Sequence, residues 1–271
     1  MEKFEGVANT TFVPLVARIE ISKEFPDLFY DKKALELEPY LPDGAKKGSF
    51  EYTHIASVAR YYNMDKIVLE FIKAHGKSNV IYLGAGLESA CFRIVDQIGP
   101  HKARFYEIDL PEVIDTRRKM FGENEDEKLI GGDLFALSWE KEIEDKTLPT
   151  ILVVSGVFQY FLEEDIVRFI QEVSEIFPGQ EFVFDATSTK GLRFTNWFIK
   201  RTGNKSALMT FGVDDAKGFG KRVGAKLIEE ILFYTELREK LRKRANWLSR
   251  YSMKNSDKGK KAIILRLRLK A

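Results

Sequence analysis

An apolar strand running into a glycine turn and helix, regular strand and helix alternation after it, and a final segment of in–out alternation together predict an α/β protein. The expected architecture is a Rossmann-like, mostly parallel sheet of seven strands with a helical N-terminal cap and an antiparallel C-terminal edge strand. With 271 residues, 44% of them hydrophobic, the chain can bury one large core, so a single domain is expected. Its expected parts are a helical cap over 1–76, a central core over 77–190, an insert over 191–224 that forms a lid or pocket wall, and terminal strands with a helix over 225–271.

The elements follow in order from local pattern. Residues 12–25 carry apolar side chains at helical spacing, and 31–40 form a short helix between Pro26 and Pro42. Asp43-Gly44 and Lys46-Lys47-Gly48 read as a polar loop. A longer helix over 52–74 lines up Ile55, Val58, Ala59, Tyr62, Ile67 and Phe71 near one face and stops at Gly76. Strands are expected at 80–83, 104–108, 128–131, 150–155 and 181–186, with helices at 89–97, 110–121, 139–143 and 163–177. After Ala186 the alternation breaks into a segment with Phe194, Trp197, Phe198 and Phe211 among basic residues. A strand over 225–234, a basic helix, and the alternating 262–269 close the chain.

Composition narrows the chemistry. Cys91 has no partner for a disulfide, and His54, His75 and His101 show no ligand spacing, so no metal site is expected. No segment has the length of a transmembrane helix, and the N-terminus lacks a signal-peptide profile, so a cytoplasmic protein without a membrane partner is expected. A net charge of +2 is too small to call for nucleic acid. The Lys and Arg residues concentrated in 236–261 read as a solvated helix face.

The most informative stretch is Val80-Ile81-Tyr82-Leu83-Gly84-Ala85-Gly86-Leu87-Glu88-Ser89, followed by a strand ending Tyr106-Glu107-Ile108-Asp109. A glycine turn allows close approach of a ligand, and the carboxylates beyond the second strand can accept from two ribose hydroxyls. A dinucleotide site would carry a third glycine where this chain has Ser89, and Glu88 in the first helical turn opposes a pyrophosphate. S-adenosylmethionine, with adenosine but no phosphate, fits better. Gly84 and Gly86 line the turn. Glu107 and Asp109 share one side of the strand, with Asp109 either on the ribose or capping the helix that starts near Pro111. Asp133 is a turn residue or an acceptor for the adenine amino group, with Leu134 against the ring. Beyond the fourth strand, Gln159 and Tyr160 lie where an acceptor oxygen would be oriented, and Ser155 lacks the flanking glycines of a nucleophile elbow.

The run from Arg60 to Tyr160 resembles the leucine carboxyl methyltransferase family, which includes bacterial O-methyltransferases of polyketide biosynthesis. The likeness rests on the glycine-turn segment with Arg93, on Tyr106 through Ile114 with Arg117, on Gly132-Asp133-Leu134, and on Val157 through Asp165. Ala17-Arg18-Ile19-Glu20 and Pro26 through Asp31 resemble the bacterial branch. The resemblance implies a class I methyltransferase fold with S-adenosyl-L-methionine as cofactor. It implies that Arg60 holds the cofactor's methionine carboxylate, Asp109 the ribose, and Asp133 with Leu134 the adenine. Arg18 and Trp197 are expected toward the methionine end and the substrate. The chain departs from the family at Ser155, where a Glu is usual.

Methyl transfer from a sulfonium depends mainly on positioning. A carboxylate acceptor needs no base at neutral pH, and no histidine is placed to serve a phenol or alcohol. The expected activity is O-methylation of a carboxylate or hydroxyl on a small molecule such as a polyketide. Two alternatives stand: a cofactor-binding protein with little catalysis, suggested by Ser155, and a nucleic-acid methyltransferase, which the basic helix favours but the absence of an Asn/Asp-Pro-Pro-Tyr motif does not.

Overall fold

The computed structural model describes residues 9–42, 44–45, 50–122, 124–202 and 208–271, with backbone alone at 9–11, 194 and 197–202. Most of the polar loop expected at Asp43 and at Lys46-Lys47-Gly48 lies outside the described residues. Helices α1 (Asn9–Glu24), α2 (Lys32–Leu37) and α3 (Glu51–His75) precede the sheet. The sheet region then runs β1 (Ser78–Leu83), α4 (Ala90–Ile98), β2 (Ala103–Asp109), α5 (Pro111–Phe121), β3 (Glu127–Gly131), β4 (Thr150–Val154), α6 (Glu163–Ile176) and β5 (Glu181–Thr187). It ends α7 (Thr189–Thr202), α8 (Ala216–Arg222), β6 (Lys226–Leu232), α9 (Thr235–Lys240), α10 (Trp247–Lys258) and β7 (Ala262–Arg268).

The seven strands lie in the order β3-β2-β1-β4-β5-β7-β6. β1 to β5 pair in parallel, and β7 is antiparallel to both its neighbours. The C-terminal strand is antiparallel as expected, but it inserts between β5 and β6 and leaves β6 at the edge. Burial explains the choice. β7 buries Ile263, Leu265 and Leu267 on one face and Ile264 on the other, whereas β6 exposes Lys226, Ile228 and Glu229. Arg266 and Arg268 of β7 each reach Glu181 of β5 at 2.7 Å, fixing the register.

Alternation along the strands sorts the core to two faces. Val80, Tyr82, Ile151 and Val153 pack with α3, α4 and Met253 of α10. Ile81, Leu83, Leu152, Val154, Phe182 and Phe184 pack with α6, Phe219 of α8 and Trp139. The helix expected at 139–143 is a 3-10 turn, Ser138–Glu142. The basic segment is two helices rather than one, because the Asn246 side chain accepts from Ser249 N at 2.8 Å and starts α10 afresh. After α7 the chain returns along the sheet end, where Thr210 N donates to Gln159 O at 2.7 Å and Val213 N to Thr187 O at 2.9 Å.

The cap is joined to the glycine turn by buried charge. Arg93 of α4 donates from Nε and Nη2 to the two oxygens of Asp65 on α3, at 2.8 and 2.9 Å. Its Nη1 reaches Glu88 Oε1 at 2.7 Å and Asp31 Oδ2 at 3.0 Å. Asp31 also caps α2 through Ala34 N at 2.9 Å and accepts from Arg18 of α1 at 2.8 Å. Arg18 donates further to Leu87 O and Ser89 Oγ at the exit of the turn. Burial alone would raise the acids, but Arg18 and Arg93 hold Asp31 and Glu88 below the ordinary range. Asp65 is the exception: burial pushes it up to about 6 against the pull of Arg93.

Removing Arg93 would leave Asp65, Glu88 and Asp31 short of a counter-charge, and Arg93→Ala should cost about 3–5 kcal/mol of stability in a urea titration. Asp65 gives a pH signature of its own. Its folded-state pKa lies above the unfolded one, so its contribution is full below about pH 4 and is lost as the pH rises through about 6. Relative to Asp65→Asn, the wild type should lose on the order of 2–3 kcal/mol across that window. Asp31 and Glu88 are held below their ordinary range and lose stability at lower pH than this window, so urea midpoints that run parallel between about pH 4 and 6 would exclude Asp65 as the titrating group.

Candidate active site

The sheet reverses strand order between β1 and β4, and the crevice beyond their C-terminal ends is where such folds take ligands. A cavity of about 630 Å³ opens there. Arg18, Arg60, Gly84, Gly86, Ser155, Gln159 and Tyr160, all singled out from the sequence, line it. Tyr82 and Glu88 of the glycine-turn segment complete much of the wall with Asp185, Met209 and Phe233, and these last three were not foreseen. Asp185 had a signal: it is an acid near the end of an apolar strand, as Asp109 is in β2.

Close packing builds the turn. Gly84 has φ +71°, and a Cβ there would collide with Val157 Cγ2. Gly156 has φ +73°, and a Cβ there would lie 2.5 Å from Nη1 and 2.8 Å from Cζ of Arg60. The Arg60 guanidinium therefore lies flat against the backbone after β4, a position only glycine leaves free. Its Nη1 is 3.5 Å from Asp185 Oδ2, its Nη2 donates to Tyr61 Oη at 3.3 Å, and its Cζ sits 5.1 Å from the Tyr61 ring centre. Burial pulls the Arg60 pKa down, but Tyr61 and Asp185 outweigh it and the net shift is upward. Asp185 in turn accepts from Gly156 N at 2.6 Å.

Buried polar atoms without a hydrogen-bond partner gather round this cavity: Arg18 Nε, Arg60 Nε, Tyr82 Oη, Glu88 Oε2 and Ser155 Oγ. Leaving one such atom unsatisfied costs about 1–3 kcal/mol. Their convergence suits a polar ligand, and the opposite charges of Arg60 and Asp185 suit an amino-acid head group.

Asp109, Asp133 and Leu134, the residues expected at the nucleoside, stand outside the cavity. Asp109 is partly buried and accepts from Gly86 N and Leu110 N, both at 2.7 Å. Burial raises its pKa and those two amide bonds oppose the rise. Asp133 is exposed and accepts from Phe135 N at 2.9 Å, with Leu134 half-buried beside it. Gly132 N donates to Asp109 O at 2.8 Å, so the loops after β2 and β3 adjoin as an open ledge.

Three expectations need correction or fall short. Glu107 does not face the ligand side: it pairs with Tyr82 in register inside the sheet, is fully buried, and lies 3.4 Å from Arg117. Burial raises its pKa well above the usual carboxylate range, because Arg117 is shared with Glu127. Only Asp109, at the strand's last position, clears the sheet. Arg18 borders the cavity and is 1% exposed; its Nη1 and Nη2 are engaged by Asp31, Leu87 O and Ser89, so it braces the turn, while its Nε has no partner. Trp197 lies on α7, and its side chain is outside the described residues.

The family model for leucine carboxyl methyltransferase matches residues 16–174. The tetracenomycin polyketide synthesis O-methyltransferase TcmP of Streptomyces glaucescens is 22% identical over 238 residues, covering 84% of this chain and 83% of that protein. In fold, the chain is similar to a DUF574 family protein from Streptomyces avermitilis, with TM-score 0.61, 13% identity, and coverage of 94% of this chain and 97% of that one. It is likewise similar to a candidate methyltransferase from Thermobifida fusca, with TM-score 0.60, 13% identity, and coverage of 94% and 95%.

Gly156→Ala is expected to drive Arg60 from its seat. S-adenosylhomocysteine should then bind at least about tenfold more weakly by calorimetry, while the melting curve shows a loss of only about 1–2 kcal/mol, the cost of positive φ at alanine.

Proposed function

Because the chain belongs to the leucine carboxyl methyltransferase family and is an S-adenosylmethionine-dependent methyltransferase, we propose that it methylates an oxygen, carboxylate or hydroxyl, of a small molecule. The observation that carries this reading is the cluster of unsatisfied buried atoms at the ends of β1 and β4, beside a cavity with room for an acceptor. The polyketide role in the name of the Streptomyces glaucescens relative supports an acceptor of that kind.

The cofactor supplies an electrophilic methyl group, so this chain's task is to hold two partners in line. Arg60 and Ser155 are assigned to the amino-acid end, Gly84 and Gly86 to the backbone approach, Asp109 to the ribose, and Asp133 with Leu134 to the adenine. Gln159 and Tyr160 border the cavity from the 3-10 turn Phe158–Tyr160, which supports assigning them to the acceptor oxygen. The Gln159 carbonyl accepts from Thr210 N at 2.7 Å and Phe211 N at 3.4 Å, which fixes that turn against the segment returning from α7. Good alignment of reacting atoms is worth on the order of 7–11 kcal/mol of barrier. Among the described residues no histidine lines the cavity, which suits an acceptor already ionised near neutral pH.

Incubation with methyl-labelled S-adenosylmethionine and a panel of small phenols, enols and carboxylic acids tests the reading. Label in a base-labile ester identifies a carboxyl acceptor, and label in a base-stable ether a hydroxyl; label found only in added RNA would refute a small-molecule acceptor. Asp109→Ala should weaken S-adenosylhomocysteine binding by about 1–3 kcal/mol, the loss expected when hydroxyls lose a charged acceptor. Unchanged affinity would remove Asp109 from the site.

A further inference from the structure

The carboxylate missing at Ser155 has a neighbour that can stand in for it. Asp185 enters the same corner of the cavity from β5, the strand paired with β4. It is 9% exposed, and its two oxygens face different partners: Oδ1 accepts from Gly156 N at 2.6 Å, while Oδ2 lies 3.5 Å from Arg60 Nη1. Ser155 Oγ, beside Gly156 and likewise bordering the cavity, is buried without a partner. A cation, an anion and an unsatisfied hydroxyl thus share one end of the cavity.

We propose that Asp185 is the positioning residue for the α-ammonium of the cofactor's methionine end, opposite Arg60 on its carboxylate. The proposal rests on the cofactor site assigned above and adds a residue to it. Glu88 is the other carboxylate bordering the cavity among the described residues, and it is already matched by Arg93 at 2.7 Å and Arg18 at 3.8 Å. Asp185 has only Arg60 within ion-pair distance among the described residues. A ligand whose carboxylate neutralises Arg60 leaves Asp185 needing a positive charge. An α-amino acid brings both charges together, so binding keeps this buried corner neutral, which a lone anion or a lone amine would not do.

The test pairs a protein charge with a ligand charge. Calorimetry measures wild type and Asp185→Asn with S-adenosylhomocysteine, with the analogue whose α-amine is replaced by hydrogen, and with 5′-methylthioadenosine, which lacks the amino-acid part. Asparagine keeps an acceptor for Gly156 N, and should the variant not fold, Asp185→Ser serves the same cycle. The wild type is expected to prefer S-adenosylhomocysteine over the deaminated analogue by roughly 10–100-fold. Asp185→Asn should lose most of that preference while binding 5′-methylthioadenosine as before. A preference that survives the substitution overturns the proposal, and so does an equal loss for all three ligands, which would mark Asp185 as structural. Failure of the wild type to bind any of the three would instead overturn the underlying cofactor site.

Discussion

The buried pairing of Arg93 with Asp65, Glu88 and Asp31, extended by Arg18, is the constraint on which the rest of the structure depends. Charges this deep are tolerated only when matched and hydrogen-bonded, so each of α1, α2, α3 and α4 must arrive in register for the cluster to close. What closes above it is the glycine turn. Leu87 O is held by Arg18, and Gly86 O and Glu88 O by Arg117. Its amides are held as well, with Gly84 N and Ala85 N donating to Ile108 O and Gly86 N to Asp109. The turn is therefore organised from beneath, and a ligand meets it without having to order it.

The two halves of the site differ in kind. The end formed by Arg60, Ser155, Gly156 and Asp185 is walled by buried and partly buried residues, so charge there acts more strongly than on the open surface. The ledge of Asp109, Asp133 and Leu134 is open, and its carboxylates already serve backbone amides. Discrimination among ligands by charge belongs to the walled end. On the proposed reading the ledge would contribute hydrogen bonds in competition with solvent, each of modest net effect.

The strands were legible because β1 and β4 are largely apolar runs bounded by turn residues, and β2 and β7 alternate apolar with charged residues. The placement of β7 inside the sheet was not, since alternation reports a strand's faces and not its neighbours. That Gly84, Gly86 and Arg60 border one cavity was readable from motif and resemblance. Glu107 was misread because strand periodicity gives a side and not a depth: two residues deeper than Asp109, the same side is interior. The bracing role of Arg18 was not legible, as its partners Asp31, Leu87 and Ser89 are distant in sequence and only the fold brings them near. Asp185 escaped notice because each acid was weighed on its own strand, while its significance comes from the strand beside it.

The electrostatic join between cap and turn bears on how this chain can be recombined. Its partners sit in two stretches of sequence, Arg18 to Asp65 and Glu88 to Arg93; the first sets two carboxylates, Asp31 and Asp65, against one arginine and relies on Arg93 of the second for the missing cation. A chimera that borrowed its helical cap from a distant homologue would inherit half of an ionic lock. Shuffling with crossovers between those stretches will yield mostly insoluble offspring, whereas exchanging everything through Arg93 as one block moves key and lock together.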